Sequence, residues 1–426
     1  LQLLLAYQAG EEPPAYRTSQ PVSPARARQL SARYQADDGR SVRLIEQSGA
    51  LLFDDGEIRT PVERDGLYEL VTNGRLGVGR TLRLVNDGQG GPQDLIIDGT
   101  RFARQYDRVP EPAPEHFNEL IGEYGPDHNV LHVLEEDGQL TVLIEWFFRY
   151  PLTPIEEDRY AFPGRGLYAG EEVIFLRDET GAITGVEAAN VVWPRRAVGP
   201  DDGATFKIDP IRPVEELREE ALRATPPAEN GPFRPAALVD VTQQPAVIDG
   251  DTLALEPGIK LDVRYATTNN FMGAAFYDKP RALLQKPAAE ALARVHFNLR
   301  ALGYGLLVHD AYRPWHVTKM FWDATPQDLK LFVANPARGS RHNRGAAVDL
   351  TLYDLTTGEP IAMPSGFDEF SPRAYAAYPG GTSAQRWHRA LLRRVMELEG
   401  FRVLNAEWWH FDYKDWREYG LGNVGF

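Results

Sequence analysis

Apolar and polar residues alternate over much of the first half of the chain. Val42 and Leu44 belong to one such run, and Leu140, Val142 and Ile144 to another. Short runs with this period of two, separated by Gly and Asp turns, are typical of small antiparallel sheets or barrels. The pattern predicts two β-rich modules, at residues 29–104 and 117–196.

The two predicted modules resemble each other when one is shifted by about ninety positions. Leu30 and Tyr34 precede the strands of the first module, and Leu120 and Tyr124 precede those of the second. Similarity at a fixed spacing predicts an internal structural repeat. In outline, both modules resemble the lipocalin-like β-barrel accessory domains found beside exported hydrolases.

Proline-rich stretches mark the predicted connections. Residues 1–28 hold four prolines among polar residues and predict an extended N-terminal tether. A short amphipathic helix at 214–224 precedes a second proline cluster at 225–235, so residues 197–235 are predicted to form a helix and a linker. The last domain is then expected to occupy residues 236–426.

The last domain mixes helical and strand periodicity. Helices are predicted at 286–302, 316–322 and 383–399, because apolar residues recur there at three- and four-residue spacing. Short apolar runs at 305–309 and 346–352 predict buried strands. This order of elements favours an α+β domain with helices packed on a mainly antiparallel sheet.

Composition excludes several classes of partner and site. With 46 basic and 61 acidic residues the chain carries a formal charge of −15, so nucleic acid and anionic membranes are poor partners. The chain has no cysteine, so a metal would have to be bound by His, Asp or Glu. The apolar start, Leu1–Ala6, is too short to span a bilayer. We expect an exported protein, periplasmic or envelope-attached, with a cytoplasmic location as the alternative; oligomeric state is left open.

The first candidate site lies between Gly339 and Leu352. Gly345 permits a sharp turn, so His342 before it can face Asp349 on the strand that follows. An acid inside an apolar strand needs a counter-charge or a metal ion. Asp349 is therefore a candidate ligand.

The second candidate site is Glu407-Trp408-Trp409-His410. Residues three apart point to opposite faces of a regular strand, so a bulge or strand end is needed if both serve one site. Two histidines and one carboxylate would leave a zinc ion one position for water, and a further carboxylate such as Glu407 could act as general base.

A third segment, His309-Asp310-Ala311-Tyr312-Arg313-Pro314-Trp315, follows a predicted strand. A guanidinium beside a carbonyl under attack stabilises the oxyanion that develops. Arg313 is the candidate for this role, and a structural ion pair with Asp310 is the alternative.

These motifs together resemble the VanX-type D-alanyl-D-alanine dipeptidases, zinc D,D-peptidases related to D-alanyl-D-alanine carboxypeptidases and the hedgehog domain. The resemblance spans about residues 247–413 and rests on Asp-x-Tyr-Arg-Pro, Ser-Arg-His, Arg-Gly, Val-Asp-Leu-Thr-Leu and Glu-Trp-Trp-His-Phe, in that order. It implies that one Zn²⁺ ion is bound by His342, Asp349 and His410. It also implies that Glu407 is the general base and that Arg313 assists the transition state.

The same resemblance implies a substrate and places Ser340, Asp310 and Tyr265 near its termini. The expected activity is zinc-dependent hydrolysis of D-alanyl-D-alanine or a related cell-wall dipeptide. The alternatives are a D,D- or L,D-carboxypeptidase that acts on longer peptidoglycan stem peptides, and a zinc-containing binding protein without turnover. The compact dipeptidases lack the β-rich first half, for which we hypothesise a role in limiting access to the cleft.

Overall fold

The computed structural model describes residues 19–47, 49–55, 59–64, 69–72, 79–85, 94–105, 109–145, 148–200, 204–248 and 251–426. The chain divides into two compact units. One comprises the chain up to Arg108 together with Val142–Tyr150, and the other comprises Val109–Thr141 with Pro151–Phe426.

The first unit is built on a closed β-barrel. Its helix is α1 (Pro24–Leu30), and its strands are β1 (Gln20–Pro21), β2 (Ala32–Gln35), β3 (Ser41–Gln47), β4 (Ala50–Asp54), β5 (Arg59–Arg64), β6 (Glu69–Thr72), β7 (Thr81–Val85), β8 (Asp94–Ile97) and β9 (Thr100–Arg104). The strand order is β1-β5-β4-β3-β2-β9-β8-β7-β6, and an additional β5–β6 pairing closes β2–β9 into an eight-stranded barrel. Alternate residues such as Leu44, Phe53, Leu82 and Leu95 are buried inside it. The prediction of a β-rich first half is confirmed.

The start of the chain differs from the predicted tether. Residues 1–18 of the predicted tether lie outside the described residues, and Pro24–Leu30 is a helix. Pro24 occupies the first helical turn, and the Ser23 hydroxyl accepts a hydrogen bond from the Arg26 N–H. Proline at this position is pre-organised for a helix start, so its presence did not indicate extended chain.

The second unit begins with further strands. These strands are β10 (Gly122–Tyr124), β11 (Leu131–Glu136), β12 (Gln139–Ile144), β13 (Phe148–Pro151), β14 (Thr153–Glu156), β15 (Arg159–Ala161), β16 (Glu172–Arg177), β17 (Ile183–Ala188) and β18 (Val191–Pro194); β12 and β13 cross the boundary between the units. Strands β10 and β11 pair antiparallel, and this pair is called here the β10–β11 hairpin. Strands β14–β18 form an antiparallel five-stranded sheet in chain order.

The predicted repeat has a structural counterpart in two buried tyrosines. The hydroxyls of Tyr34 and Tyr124 each donate a hydrogen bond of 2.7 Å to the carbonyl four residues earlier. Both rings are fully buried, and each has an arginine beside its face, Arg104 at 5.9 Å and Arg195 at 5.8 Å. The shared contacts support the repeat that the sequence predicts.

The remainder of the second unit carries the candidate site. Its helices are α2 (Val214–Arg223), α3 (Lys286–Arg300), α4 (Trp315–Ala324) and α5 (Ser383–Leu398), and its strands are β19 (Leu238–Asp240), β20 (Ala246–Ile248), β21 (Asp251–Leu253), β22 (Lys260–Leu261), β23 (Leu283–Gln285), β24 (Tyr304–Asp310), β25 (Ala347–Asp354), β26 (Phe401–Leu404) and β27 (Glu407–Tyr413). The predicted helices are confirmed with small shifts at their ends. No described helix combines the length and apolar character needed to cross a bilayer.

A five-stranded sheet forms the centre of this region. Its order is β22-β24-β25-β27-β26, and every pairing except β22–β24 is antiparallel. Helix α3 buries the predicted apolar stripe of Ala288, Leu292, Val295 and Leu299, and it packs on β24, while α5 packs on β26. All seven residues of β24 are buried, which explains the continuous apolar run in its sequence.

Candidate functional site

Three polar residues occupy one row across the three middle strands of the sheet. Asp310 on β24 lies directly opposite Asp349 on β25, and Asp349 lies directly opposite His410 on β27. Directly opposite residues project their side chains from the same face. Strand pairing therefore brings two carboxylates and an imidazole together on one face of the sheet.

A bulge allows Glu407 to reach the face that His410 occupies. On β26, Val403 pairs with Phe411, but the next residue, Leu404, pairs with Glu407. The register shift accommodates extra residues on β27 and breaks the alternation of its side chains. The predicted irregularity between Glu407 and His410 is confirmed, and the Glu407 Oε2 lies 3.8 Å from the His410 Nδ1.

A tight turn brings His342 to the same place. His342–Arg344 forms a 3₁₀ turn that ends at Gly345, whose φ of +63° lies in the left-handed region. A Cβ at Gly345 would lie 2.3 Å from a methyl carbon of Leu238. Both conformation and space therefore require glycine, as the sequence indicated, and the turn leads directly into the strand that carries Asp349.

His342, Asp349 and His410 form a possible metal site in the described residues. The His342 Nε2 lies 3.0 Å from the His410 Nδ1 and 3.3 Å from the Asp349 Oδ1, and the last two atoms are 3.0 Å apart. Ligands about 2.0–2.1 Å from a tetrahedral zinc ion lie about 3.3–3.4 Å from one another. The three atoms thus have nearly the spacing of ligands on one ion.

The other ring nitrogens determine which atoms face the site. The His342 Nδ1 donates to the Ala311 carbonyl at 2.6 Å, and the His410 Nε2 donates to the Asp412 carboxylate at 2.9 Å. With those bonds made, the two nitrogens that lie 3.0 Å apart face the site, and each offers a lone pair once it is deprotonated. Two lone pairs and a carboxylate repel one another unless a cation lies among them, so the donor set fits a metal ion.

Burial and neighbouring charges shift the pKa values of Asp349 and His410 in opposite directions. Burial alone would raise the pKa of Asp349, but the neighbouring His342 and His410 hold it well below its ordinary value. Burial would lower the pKa of His410, but hydrogen bonds to Asp349 and Asp412 raise it above its ordinary value. The pocket therefore attracts positive charge, whether a proton or a metal ion.

Glu407 differs from Asp349 in its environment. Its side chain is 17% exposed, and burial raises its pKa to about 7, with the positive influence of His410 only partly opposing this. A carboxyl group with a pKa near neutrality can both accept and return a proton. The general-base assignment implied by the sequence is compatible with this position.

Arg313 is held by Asp310 and by two aromatic rings. Its guanidinium donates from Nε to the Asp310 Oδ2 at 2.9 Å and lies 5.0 Å from the Tyr265 ring centroid and 4.9 Å from that of Phe321. The Tyr277 hydroxyl donates to the other Asp310 oxygen at 2.7 Å. The ion pair considered in the sequence is present, and Arg313 also reaches within 3.7 Å of Asp349.

The remaining predicted residues lie close by. Ser340 accepts the His342 N–H at 3.2 Å and so stabilises the turn before the strand. The Tyr265 hydroxyl donates to the Asp368 Oδ2 at 2.7 Å. Burial raises the pKa of Asp368 well above its ordinary value, and Asp349, Arg313 and Glu407 all act electrostatically on it. Asp368 therefore belongs to the same site.

Sequence reasoning assigned no role to Asp368, Asp412 or Tyr277. Asp412 follows His410 by two positions, a spacing that puts two side chains on one face of a strand, and this could have indicated a partner for the histidine. Asp368 lies in a Gly-Phe-Asp motif at a φ of +58°, a conformation that the sequence does not reveal. Nothing in the sequence indicated that Tyr277 pairs with Asp310.

Comparison with known proteins places this region in a family. The peptidase M15 family, described as D-ala-D-ala dipeptidase, matches residues 251–419. A D-alanyl-D-alanine dipeptidase of Escherichia coli strain K12 is 36% identical over 171 residues, which are 40% of this chain and 87% of the relative. The chain belongs to the M15 peptidase family, and it is a peptidase of the dipeptidase type.

Other relatives agree with this membership. A dipeptidase of the same name from Enterococcus faecalis is 36% identical, covering 37% of this chain and 87% of the relative, and one from Streptomyces coelicolor is 35% identical, covering 38% and 89%. The family match begins at residue 251, so the barrel and the β10–β11 hairpin precede it.

Proposed function

We propose that this protein hydrolyses D-alanyl-D-alanine or a closely related cell-wall dipeptide with one zinc ion bound by His342, Asp349 and His410. The observation that carries the proposal is the 3.0 Å approach of two imidazole nitrogens beside a buried carboxylate, in a chain that matches the dipeptidase family. A zinc ion held there would lower the pKa of a water molecule and polarise the peptide carbonyl.

Glu407 acts as the general base. Its carboxylate takes a proton from the attacking water and delivers it to the leaving amine, for which a pKa near neutrality is suitable. Trp408 and Trp409 on the same strand are buried, and their rings exclude bulk water around this proton transfer.

Arg313 stabilises the oxyanion that develops on the carbonyl. Its position 3.7 Å from Asp349 brings its guanidinium beside the ligand set, and its ion pair with Asp310 fixes its orientation. Such a fixed donor requires no reorganisation when charge develops.

Tyr265 and Asp368 bind the free amino group of the substrate. Their hydrogen-bonded pair is buried at the site, and a carboxylate in such surroundings is stabilised by an incoming ammonium group. Ser340 acts indirectly by keeping the His342 turn in place.

A direct assay tests the proposal. Purified protein loaded with zinc is incubated with D-alanyl-D-alanine and, separately, with a muramyl pentapeptide, and released D-alanine is quantified. We expect hydrolysis of the dipeptide and little release from the pentapeptide. Release from the pentapeptide alone would identify a carboxypeptidase instead, and binding of zinc without turnover of either would identify a binding protein.

A further inference from the structure

The β10–β11 hairpin contacts the peptidase region through a buried glutamate. Glu135 on β11 is fully buried, and its carboxylate accepts the N–H of Ser383 at 2.7 Å. The Glu135 N–H donates to the Gly381 carbonyl at 3.2 Å, and the Glu135 carbonyl accepts from the Arg386 guanidinium at 2.6 Å. One hairpin residue thus makes both main-chain and side-chain bonds around the start of α5.

Glu135 accepts a hydrogen bond from a backbone N–H that has no acceptor within helix α5. Ser383 is the first residue of the sixteen-residue helix α5, and its N–H has no partner within the helix. The capping box of Thr382 and Gln385 satisfies other groups of this terminus. A carboxylate at a helix N-terminus also interacts favourably with the helix dipole. The hairpin therefore completes the cap of α5.

A second buried contact lies on strand β10. Glu123 is 2% exposed and acts electrostatically on the hydroxyl of Tyr378, which is 5% exposed and whose pKa is raised by burial first and by this carboxylate second. The Tyr378 ring also lies edge-on to His132 of β11, with centroids 5.8 Å apart. On the peptidase side, the Tyr378 carbonyl accepts from Arg389 of α5 at 2.8 Å. The tyrosine is thus held by both strands of the hairpin.

Tyr378 and Gly381 lie on one segment of the peptidase region, residues 365–381, called here the wall segment, and Ser383 follows this segment as the first residue of α5. This segment begins beside Trp408, whose Nε1 donates to the Ser365 hydroxyl at 2.8 Å, and it carries Asp368. Immediately after Asp368, Glu369 pairs with Arg373 through two hydrogen bonds, and Arg373 also donates to the Pro200 carbonyl at 3.0 Å. The wall segment is therefore held at the site by Tyr265 and at its far end by the hairpin.

We infer that the β10–β11 hairpin is a positioning element for the substrate side of the active site, acting through Glu135 and Glu123 on the wall segment that carries Asp368. The inference rests on the proposed function, because Asp368 is taken to bind the substrate amino group. Neither glutamate touches substrate. Their effect is to hold the wall segment in the conformation in which Asp368 meets Tyr265, using a part of the chain that precedes the family match.

Two substitutions in the full-length, zinc-loaded protein test the inference. Glu135→Gln removes the charge that caps α5, and Tyr378→Phe removes only the hydroxyl on which the buried Glu123 carboxylate acts. For each we expect KM for D-alanyl-D-alanine to rise roughly tenfold, as loss of one interaction with a buried carboxylate would produce, with kcat within about twofold and zinc content unchanged. Hydrogen exchange should quicken in the wall segment. Glu172→Gln, whose partner Arg159 lies within the β14–β18 sheet, is the matched control and should change none of these values.

The readouts separate the two proposals. A wild-type protein that binds zinc but leaves the dipeptide intact would overturn the proposed function, and hydrogen exchange alone would then decide whether the hairpin holds the wall segment. Unchanged exchange in both variants, or faster exchange with an unchanged KM in an active enzyme, would overturn the positioning role. If Glu135→Gln does not fold, the result with Tyr378→Phe decides.

Discussion

Asp310 and Asp349 lie directly opposite each other on β24 and β25, and the Arg313 guanidinium is 2.8 Å from one carboxylate and 3.7 Å from the other. Two buried carboxylates at neighbouring strand positions repel each other unless positive charge lies nearby. Arg313 supplies positive charge beside both carboxylates, and a cation bound at the candidate metal site would supply it beside Asp349. The same arginine thus contributes to stability and, by our proposal, to catalysis.

Replacing Arg313 should reveal both contributions. Arg313→Ala leaves Asp310 buried without its guanidinium partner, which typically costs about 3–5 kcal/mol, and removes the oxyanion donor, which typically lowers kcat by about 10²–10³. Thermal unfolding and steady-state kinetics measure the two effects. Arg212→Ala, an exposed arginine that pairs with Glu220 away from the site, is the control. A variant with normal kcat would show that Arg313 has only the structural role.

Glu407→Gln should separate chemistry from metal binding. The amide cannot take a proton, so kcat should fall by about 10²–10⁴, while zinc stoichiometry measured by atomic absorption stays at one per chain because the three ligands are intact. Glu397→Gln, a similar change on helix α5, should leave both values unaltered. Activity retained by Glu407→Gln would contradict the assignment of the base.

The pH dependence of kcat/KM should reflect the ionisation of Glu407. Burial raises its pKa to about 7, and the base must be ionised, so kcat/KM should rise with pH. A bound cation favours the carboxylate and lowers this pKa, so the half-maximal point of the zinc enzyme is expected below about 7. Rates measured between pH 5 and 9 test this. A profile that stays flat down to pH 5 would exclude a base with these properties.

Metal removal should abolish activity reversibly. Dialysis against a chelator should remove turnover of the dipeptide, and one equivalent of zinc should restore it. Protons compete for the ligand nitrogens, and the raised pKa of His410 makes this competition effective, so zinc affinity should weaken as the pH falls. Competition titrations with a zinc indicator at several pH values provide the measurement. His316→Ala, away from the ligand set, should leave the affinity unchanged.

Gly345→Ala should weaken the turn that carries His342. A φ of +63° costs a residue with a Cβ about 1–2 kcal/mol, and the new methyl group would also displace the Leu238 side chain. We expect a lower unfolding midpoint and weaker zinc binding. The equivalent change at Gly303, where the φ is +86° and space is open, separates the conformational cost from the effect on the ligand. Equal zinc affinity in both variants would show that the turn does not control His342.

The sequence predicted the parts of the site that follow from local rules. An acid inside an apolar strand, a glycine at a sharp turn and an odd spacing between Glu407 and His410 each carry a geometric consequence, and the structure contains all three. The sequence also placed Tyr34 and Tyr124 at corresponding positions of the predicted repeat. The roles of the site residues remain predictions that the experiments above address.

Contacts between distant segments could not be predicted from these rules. Tyr277 meets Asp310 only because the fold brings their segments together, and neither residue has a periodicity or motif that indicates the partner. Glu135 and Ser383 are 248 positions apart. A glutamate near the end of a strand is commonly exposed, so its position in the sequence did not indicate a buried partner. The helix at Pro24 was missed because proline favours both extended chain and helix starts.

The ligand atoms also carry information about the order of folding. His342 and His410 are separated by 68 positions and meet only after β25 and β27 have paired, with Asp349 between them on a buried strand. An unfolded chain offers no comparable set of ligands, so high-affinity zinc capture must follow formation of the sheet. The rate at which refolding protein acquires zinc therefore reports the pairing of β25 with β27, and zinc binding can be used to measure that step.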